Sequence, residues 1–191
     1  MKKITVFCGS NSGSNLAYTL AAQVLGKAIA DANITLVYGG GSVGLMGIIA
    51  DAVLKNGGEV IGVLPKFLFD KEVGHKGLSQ MIITETMHQR KQVMNDLADA
   101  FVAMPGGIGT FEEFFEITTW AQLGLHNKPI ALYNVDNYYT HLLAFLNHSV
   151  QEGFVSSSNR QLILQADNSL DLLEKLKNYE APNVIQWLER T

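Results

Sequence analysis

The chain has 191 residues, within the range of one domain and enough for a proper hydrophobic core. Hydrophobic residues make up 47% and charged ones 17%, the balance of a globular α/β protein, and no apolar run is long enough to span a membrane. The net charge of −4 argues against nucleic-acid binding through general phosphate attraction, and the single Cys8 excludes an intrachain disulfide framework and fits a reducing, cytoplasmic setting.

In chain order, Lys2 and Lys3 lead into Ile4 to Cys8, a run too short for a signal peptide and read as a first strand. Gly9 to Ser14 is a polar loop and Leu16 to Ala30 an amphipathic helix. Ile34 to Tyr38 is a second strand that runs into the glycines of Gly39 to Gly44, and Leu45 to Lys55 is a helix stopped by Asn56-Gly57-Gly58. Val60 to Leu64 is a third strand, closed by Pro65. An irregular stretch, Lys66 to Gln80, contains Glu72 and His75. Met81 to Thr84 reads as a strand and Met87 to Ala98 as a helix. After the strand and helix of Ala100 to Trp120 come a strand at Pro129 to Tyr133, a helix at Tyr138 to Gln151, a short strand at Leu162 to Gln165 and a helix at Leu170 to Asn178. Asn183 to Glu189 adds a turn. The strands are apolar throughout, and they alternate with helices. Both features predict a single domain over residues 1–191: a Rossmann-like, doubly wound α/β fold with a mostly parallel sheet and helices on both faces. Such sheets bind ligands outside the carboxyl ends of strands, where the strand order reverses, so the glycine loops after Cys8, Tyr38 and Met104 are expected at one edge.

The stretch from Ala100 to Trp120 carries most of the functional signal. Ala100 to Met104 has the length of one buried strand, and Pro105-Gly106-Gly107 breaks it. Gly106, Gly107 and Gly109 leave the backbone free to take positive φ and to approach a ligand closely. From Thr110 the spacing of Phe111, Phe114, Phe115 and Thr118 is helical. Unpaired N–H groups and the helix dipole at such a start suit a phosphate. Glu112, Glu113 and Glu116 occupy the first two turns. One reading makes them partners of the helix dipole, with Thr110 and Glu113 as a capping box. The other gives them a ribose beside the phosphate, with hydroxyls and an anomeric carbon to act on.

Other motifs are weaker. Gly39 to Gly44 contains a G-x-G-x-x-G match, but no acidic residue ends the following strand, as a dinucleotide site requires. The Walker phosphate loop is absent. His75, His88, His126, His141 and His148 lack metal-ligand spacing. Ser10, Ser12 and Ser14 have no nucleophile elbow and read as polar lining. Arg90-Lys91 is either a solvated basic patch or, beside the glycine loop, a holder of phosphate or carboxylate.

PGGIGTFEE at Pro105 to Glu113, MHQRK at Met87 to Lys91 and GGGSVGLMG at Gly39 to Gly47 together resemble the Lonely guy family, cytokinin riboside 5′-monophosphate phosphoribohydrolases whose older members were often misnamed lysine decarboxylases. Every fixed position of the family pattern P-G-G-x-G-T-x-x-E is present, and the resemblance extends from Cys8 to about Phe154. It implies hydrolysis of a nucleoside 5′-monophosphate, AMP included, to free base and ribose 5-phosphate, with no metal or organic cofactor. It implies that Arg90 and Glu113 are catalytic. Gly106, Gly107, Ile108, Gly109, Thr110, Phe111 and Glu112, with Lys91 and Thr119, are implied substrate contacts. Glu72 matches an acidic substrate contact, although His75-Lys76-Gly77 departs from the more acidic stretch of the family. A homodimer with the base pocket near its interface is also implied, and the apolar excess of Phe111 to Trp120 agrees with a second buried surface.

The implied chemistry suits the residues. Breaking an N-glycosidic bond builds positive charge on the ribose, which a carboxylate at the anomeric carbon stabilises. Two other readings stand beside it. One is a non-catalytic nucleotide- or cofactor-binding module, like the related molybdenum-cofactor carrier and DNA-uptake proteins. The other is pyridoxal-phosphate lysine decarboxylation, for which Lys91 is the one lysine near the motifs and no pyridinium partner is evident.

Overall fold

The computed structural model describes residues 1–70 and 74–182. Seven strands, β1 (Lys3–Phe7), β2 (Thr35–Tyr38), β3 (Val60–Pro65), β4 (Gln80–Thr84), β5 (Ala100–Ala103), β6 (Ile130–Tyr133) and β7 (Ile163–Ala166), form one sheet of order β4-β3-β2-β1-β5-β6-β7. Every pairing is parallel. The chain builds outward from β1 to β4, returns to the centre, and builds outward again from β5 to β7. The reversal therefore lies between β1 and β5, the place where such sheets open a crevice.

The helices are α1 (Leu16–Asp31), α2 (Gly44–Lys55), α3 (Lys66–Phe69), α4 (Met87–Leu97), α5 (Ile108–Gln122), α6 (Thr140–Gln151), α7 (Ser157–Gln161) and α8 (Ser169–Lys177). Successive strand residues point to opposite faces, so a continuous apolar run feeds two cores. In β5, Ala100 and Val102 join Leu25 of α1, Ile49 of α2 and Leu172 of α8. Phe101 and Ala103 join Met94 of α4, Phe114 and Ile117 of α5, and Leu143 of α6. Burying Phe114 and Ile117 fully contributes about 1.5–3 kcal/mol each, which anchors α5 against the sheet. Thr5, wholly buried in the central strand, satisfies its hydroxyl by donating to the Met94 carbonyl at 3.2 Å.

The irregular stretch after β3 holds one helical turn, α3, and α7 is a five-residue helix not evident in the sequence. Both are too short to show a period. The helix expected from Tyr138 begins at Thr140, because Val135–Asn137 form a 3₁₀ turn first. Glu72 and the turn expected at Asn183 to Glu189 lie outside the described residues. Among the described residues no helix is long and apolar enough to cross a membrane, and no His, Cys, Asp and Glu cluster is arranged to hold a metal.

Candidate active site

The three glycine loops meet at the switch point. The Gly9 N–H donates to the Pro105 carbonyl at 3.0 Å, which ties the loop after β1 to the loop after β5. The Leu45 N–H donates to the Gly9 carbonyl at 3.0 Å, which ties in the loop after β2. Gly44 has φ +61°, and a side chain there would overlap the Ser10 backbone, so glycine alone permits this crossing. Between the first and third loops lies a cleft of about 280 Å³, bounded by Ser10, Asn11, Ser12, Gly106, Gly107 and Tyr138. Ser10 and Ser12 are thus polar lining, as expected.

Helix α5 starts earlier than its periodicity indicates. Gly107 is the N-cap, in extended conformation at φ −96°, and no side chain caps the helix. Thr110 is buried inside the first turn, so the Thr110–Glu113 capping box does not form. Nor do Gly106, Gly107 and Gly109 take positive φ; their small size serves packing and space instead. A Cβ on Gly106 would overlap Thr110 Oγ1 and lie 2.9 Å from the Gly9 nitrogen. One on Gly107 or Gly109 would meet nothing within 4 Å, so neither fold nor conformation demands glycine there. What those two positions keep is open room at a helix N-terminus, where backbone donors attract an anion. Ile108 is 81% exposed on the same turn, and Phe111 turns inward against Tyr139.

Arg90 is delivered by α4, whose N-cap Thr86 accepts from the Gln89 N–H. Its Nε donates to the Val63 carbonyl at 3.1 Å, and its Nη1 donates to Glu113 Oε1 at 2.6 Å. The two side chains are only 10% and 12% exposed, so the ion pair is buried. A Cβ on Gly39 would sit 2.5 Å from the guanidinium, which explains the glycine at the end of β2. Burial pushes the Glu113 carboxyl up, the Arg90 charge and hydrogen bond pull it down, and the balance stays above its ordinary value. Cys8 beside it is buried, and both that burial and the Glu113 charge push its thiol up.

Lys91 faces a separate pair of acids. Its Nζ donates to Glu112 Oε1 at 2.6 Å and to Glu116 Oε1 at 2.9 Å. Glu116 Oε2 is buried with no hydrogen-bond partner among the described residues. Thr119 is not drawn into the loop cluster. It lies roughly 16 Å along α5 from Ile108, at 1.5 Å per residue, on the open stripe of Glu112 and Phe115, with its hydroxyl donating to the Phe115 carbonyl at 2.7 Å.

Sequence reasoning missed the loop after β6. The Tyr138 hydroxyl donates to the Gly106 carbonyl at 2.5 Å and the Tyr139 hydroxyl to the Met104 carbonyl at 2.7 Å. The available signal was positional. In a parallel sheet every strand ends at the same edge, so the polar turn Asn134 to Asn137 after β6 had to face the glycine loops.

The chain is similar to known proteins in sequence and in fold. Residues 46–176 match the family model described as "Possible lysine decarboxylase". The chain is 50% identical over 178 residues to the cytokinin riboside 5′-monophosphate phosphoribohydrolase LOG2 of Arabidopsis thaliana, covering 93% of this chain and 84% of that protein. It is 49% identical over 179 residues to the Arabidopsis thaliana enzyme LOG7, covering 94% and 82%. Among solved structures, the molybdenum cofactor binding protein of Rippkaea orientalis has a TM-score of 0.71 at 22% identity, covering 92% of this chain and 95% of that one. DNA processing protein A of Helicobacter pylori has a TM-score of 0.56 at 14% identity, covering 94% and 82%. At such identities the structural likeness shows the fold alone.

Proposed function

This chain belongs to the family of cytokinin riboside 5′-monophosphate phosphoribohydrolases, and from that premise we propose that it hydrolyses the N-glycosidic bond of cytokinin nucleoside 5′-monophosphates, and of AMP, to free base and ribose 5-phosphate. The observation that carries the reading is the buried Arg90–Glu113 pair placed behind a loop whose glycines leave a helix N-terminus open. The 5′-phosphate seats on the N–H groups of Gly106 to Thr110. Phosphate binding is remote from the broken bond, so its energy fixes the ribose in place. The C1′–N bond breaks with its electron pair going to the base, which takes up a proton in balance with the one that the attacking water gives up. Glu113 stabilises the positive charge left on the ribose and orients the water, whose oxygen bonds C1′. Arg90, itself held by the Val63 carbonyl, sets the position of Glu113 and offsets part of the effect of burial on its carboxyl. We read Lys91 and Glu112, and Thr119 further along the open stripe of α5, as contacts toward the base, while Glu72 remains a contact implied by the motif alone.

Decarboxylation is disfavoured by Lys91. Burial opposes its charge, but hydrogen bonds to Glu112 and Glu116 raise its pKa, the reverse of the neutral amine a Schiff base needs. We read residues 1–191 as one catalytic domain that requires no cofactor, acts in the cytoplasm and pairs as a homodimer, without nucleic-acid or membrane partners.

The deciding experiment compares AMP, isopentenyladenosine monophosphate and adenosine as substrates. Both nucleotides should release free base far faster than adenosine does. Comparable kcat/KM for AMP and adenosine contradicts the role given to Gly106 to Thr110, and the ratio of the two nucleotides identifies the preferred base.

A further inference from the structure

We propose that Tyr138 is the positioning residue of the phosphate loop, its hydroxyl holding the Gly106 carbonyl so that the N–H on the opposite edge of that peptide, from Gly107, is aimed at the anion. This inference rests on the phosphate-binding role proposed above for Gly106 to Thr110.

The argument starts from peptide geometry. In a trans peptide the C=O and N–H point to opposite edges, so fixing one aims the other. Three successive carbonyls after β5 are each occupied. Met104 O accepts from the Tyr139 hydroxyl at 2.7 Å, Pro105 O from the Gly9 N–H at 3.0 Å, and Gly106 O from the Tyr138 hydroxyl at 2.5 Å. The N–H groups of Gly106 and Gly107 are thereby turned the other way, and among the described residues neither donates to a protein acceptor. Flanked by two glycines, the Gly106–Gly107 peptide has no Cβ on either side, and nothing lies within 4 Å of where a Cβ on Gly107 would stand. The Tyr138 hydroxyl donates the hydrogen bond made to its carbonyl.

Tyr138 is itself firmly placed. Asp136 and Asn137 before it have φ of +48° and +61°, uncommon for two consecutive residues with side chains. Such a conformation persists only where its surroundings over-determine it. Here the Asn15 side-chain amide donates to the Asp136 carboxylate at 2.5 Å while its oxygen caps α1 at Ala17. Asn134 Oδ1 accepts from the Tyr139 N–H at 2.7 Å, and the Tyr18 ring meets Tyr138 edge-on at 5.7 Å. A turn built with this much support, ending in a half-exposed tyrosine on the wall of the cleft, is a device for placing that hydroxyl.

The test titrates inorganic phosphate by calorimetry into the full-length wild type, Tyr138→Phe and Tyr139→Phe, alongside nucleotide kinetics and thermal midpoints. Tyr138→Phe should weaken phosphate about fivefold to tenfold, the usual worth of one orienting hydrogen bond. KM for a nucleoside 5′-monophosphate should rise by a similar factor with kcat nearly unchanged, and weak turnover of the nucleoside should not change. Tyr139→Phe should lower the thermal midpoint and leave phosphate affinity unchanged, because the peptide after Met104 belongs to Pro105 and has no N–H to aim. Unchanged phosphate affinity in Tyr138→Phe, or equal losses in the two variants, overturns the proposal. A wild type that binds phosphate but hydrolyses no nucleotide ends the hydrolase reading, while the phosphate titrations still decide the role of Tyr138. A wild type that binds no phosphate overturns both.

Discussion

At Glu113 two effects of opposite sign meet on one carboxyl. Burial raises its pKa, Arg90 lowers it, and burial prevails. The folded pKa therefore lies above the ordinary glutamate value of about 4.3. Between those two values the native state binds more protons than the unfolded chain, so stability falls as pH rises through that window. Denaturant unfolding across this range should show the decline in wild type and its loss in Glu113→Gln; parallel curves for both proteins would refute it. In the proposed mechanism Glu113 acts in its ionised form, so the same shift should move the acidic limb of kcat/KM above the ordinary glutamate value. Glu113→Gln should lower kcat about 10²–10³-fold while nucleotide affinity holds, the expected loss of a contact made only in the transition state. A fully active variant, or an inactive one that has unfolded, removes the reason to assign Glu113 the chemistry.

At the scale of one element, the start of α5 separates a glycine that the fold needs from two that it does not. Gly106→Ala forces a Cβ onto Thr110 Oγ1 and the Gly9 nitrogen, and overpacking of this kind costs about 1–3 kcal/mol. Gly107→Ala and Gly109→Ala meet no such obstacle. Gly109 lies inside the helix, where alanine gains up to about 1 kcal/mol over glycine. Thermal midpoints should therefore fall for Gly106→Ala and hold or rise for the other two. Phosphate affinity should fall in Gly107→Ala and Gly109→Ala although their folds are intact. Retained phosphate binding in both would show that the open room at this helix end has no ligand.

For the whole molecule, the question is what covers the apolar residues left outside. Ile108 and Phe115 on α5, with Leu123 and Leu125 just beyond it, are exposed along the length of the helix that carries Glu112 and Glu116. Part of the apolar excess expected to serve a second surface is used internally, because Phe111 and Trp120 pack against the α4–α6 core. The remainder fits a homodimer contact, for which a stable interface needs about 800 Å² from each partner. Light scattering should give about 42 kDa, twice the 20.9 kDa chain, and Phe115→Glu should shift it toward the single chain. A single-chain mass for wild type at micromolar concentration would rule out this assembly.

Local patterns in the sequence were sufficient for the alternation of strands and helices, the parallel sheet, and the glycine loop that leads into α5. Each depends on run length, period or a glycine break within a few residues. The residues Arg90 and Glu113 were legible through their place in a motif, but their contact was not. It joins α4 to α5 across 23 positions, and from the sequence Glu113 fitted a capping box equally well. The capping box does not form: Glu113 is taken out of water beside the Arg90 guanidinium and pairs with it instead. Tyr138, Tyr139 and the Asn15–Asp136 bond left no local mark at all. Asn15 and Asp136 are 121 residues apart, and they meet because β6 pairs beside β5 while α1 starts from the neighbouring β1. Only the assembled sheet brings those loops to one edge, so the orientation of the Gly106–Gly107 peptide belongs to the tertiary structure.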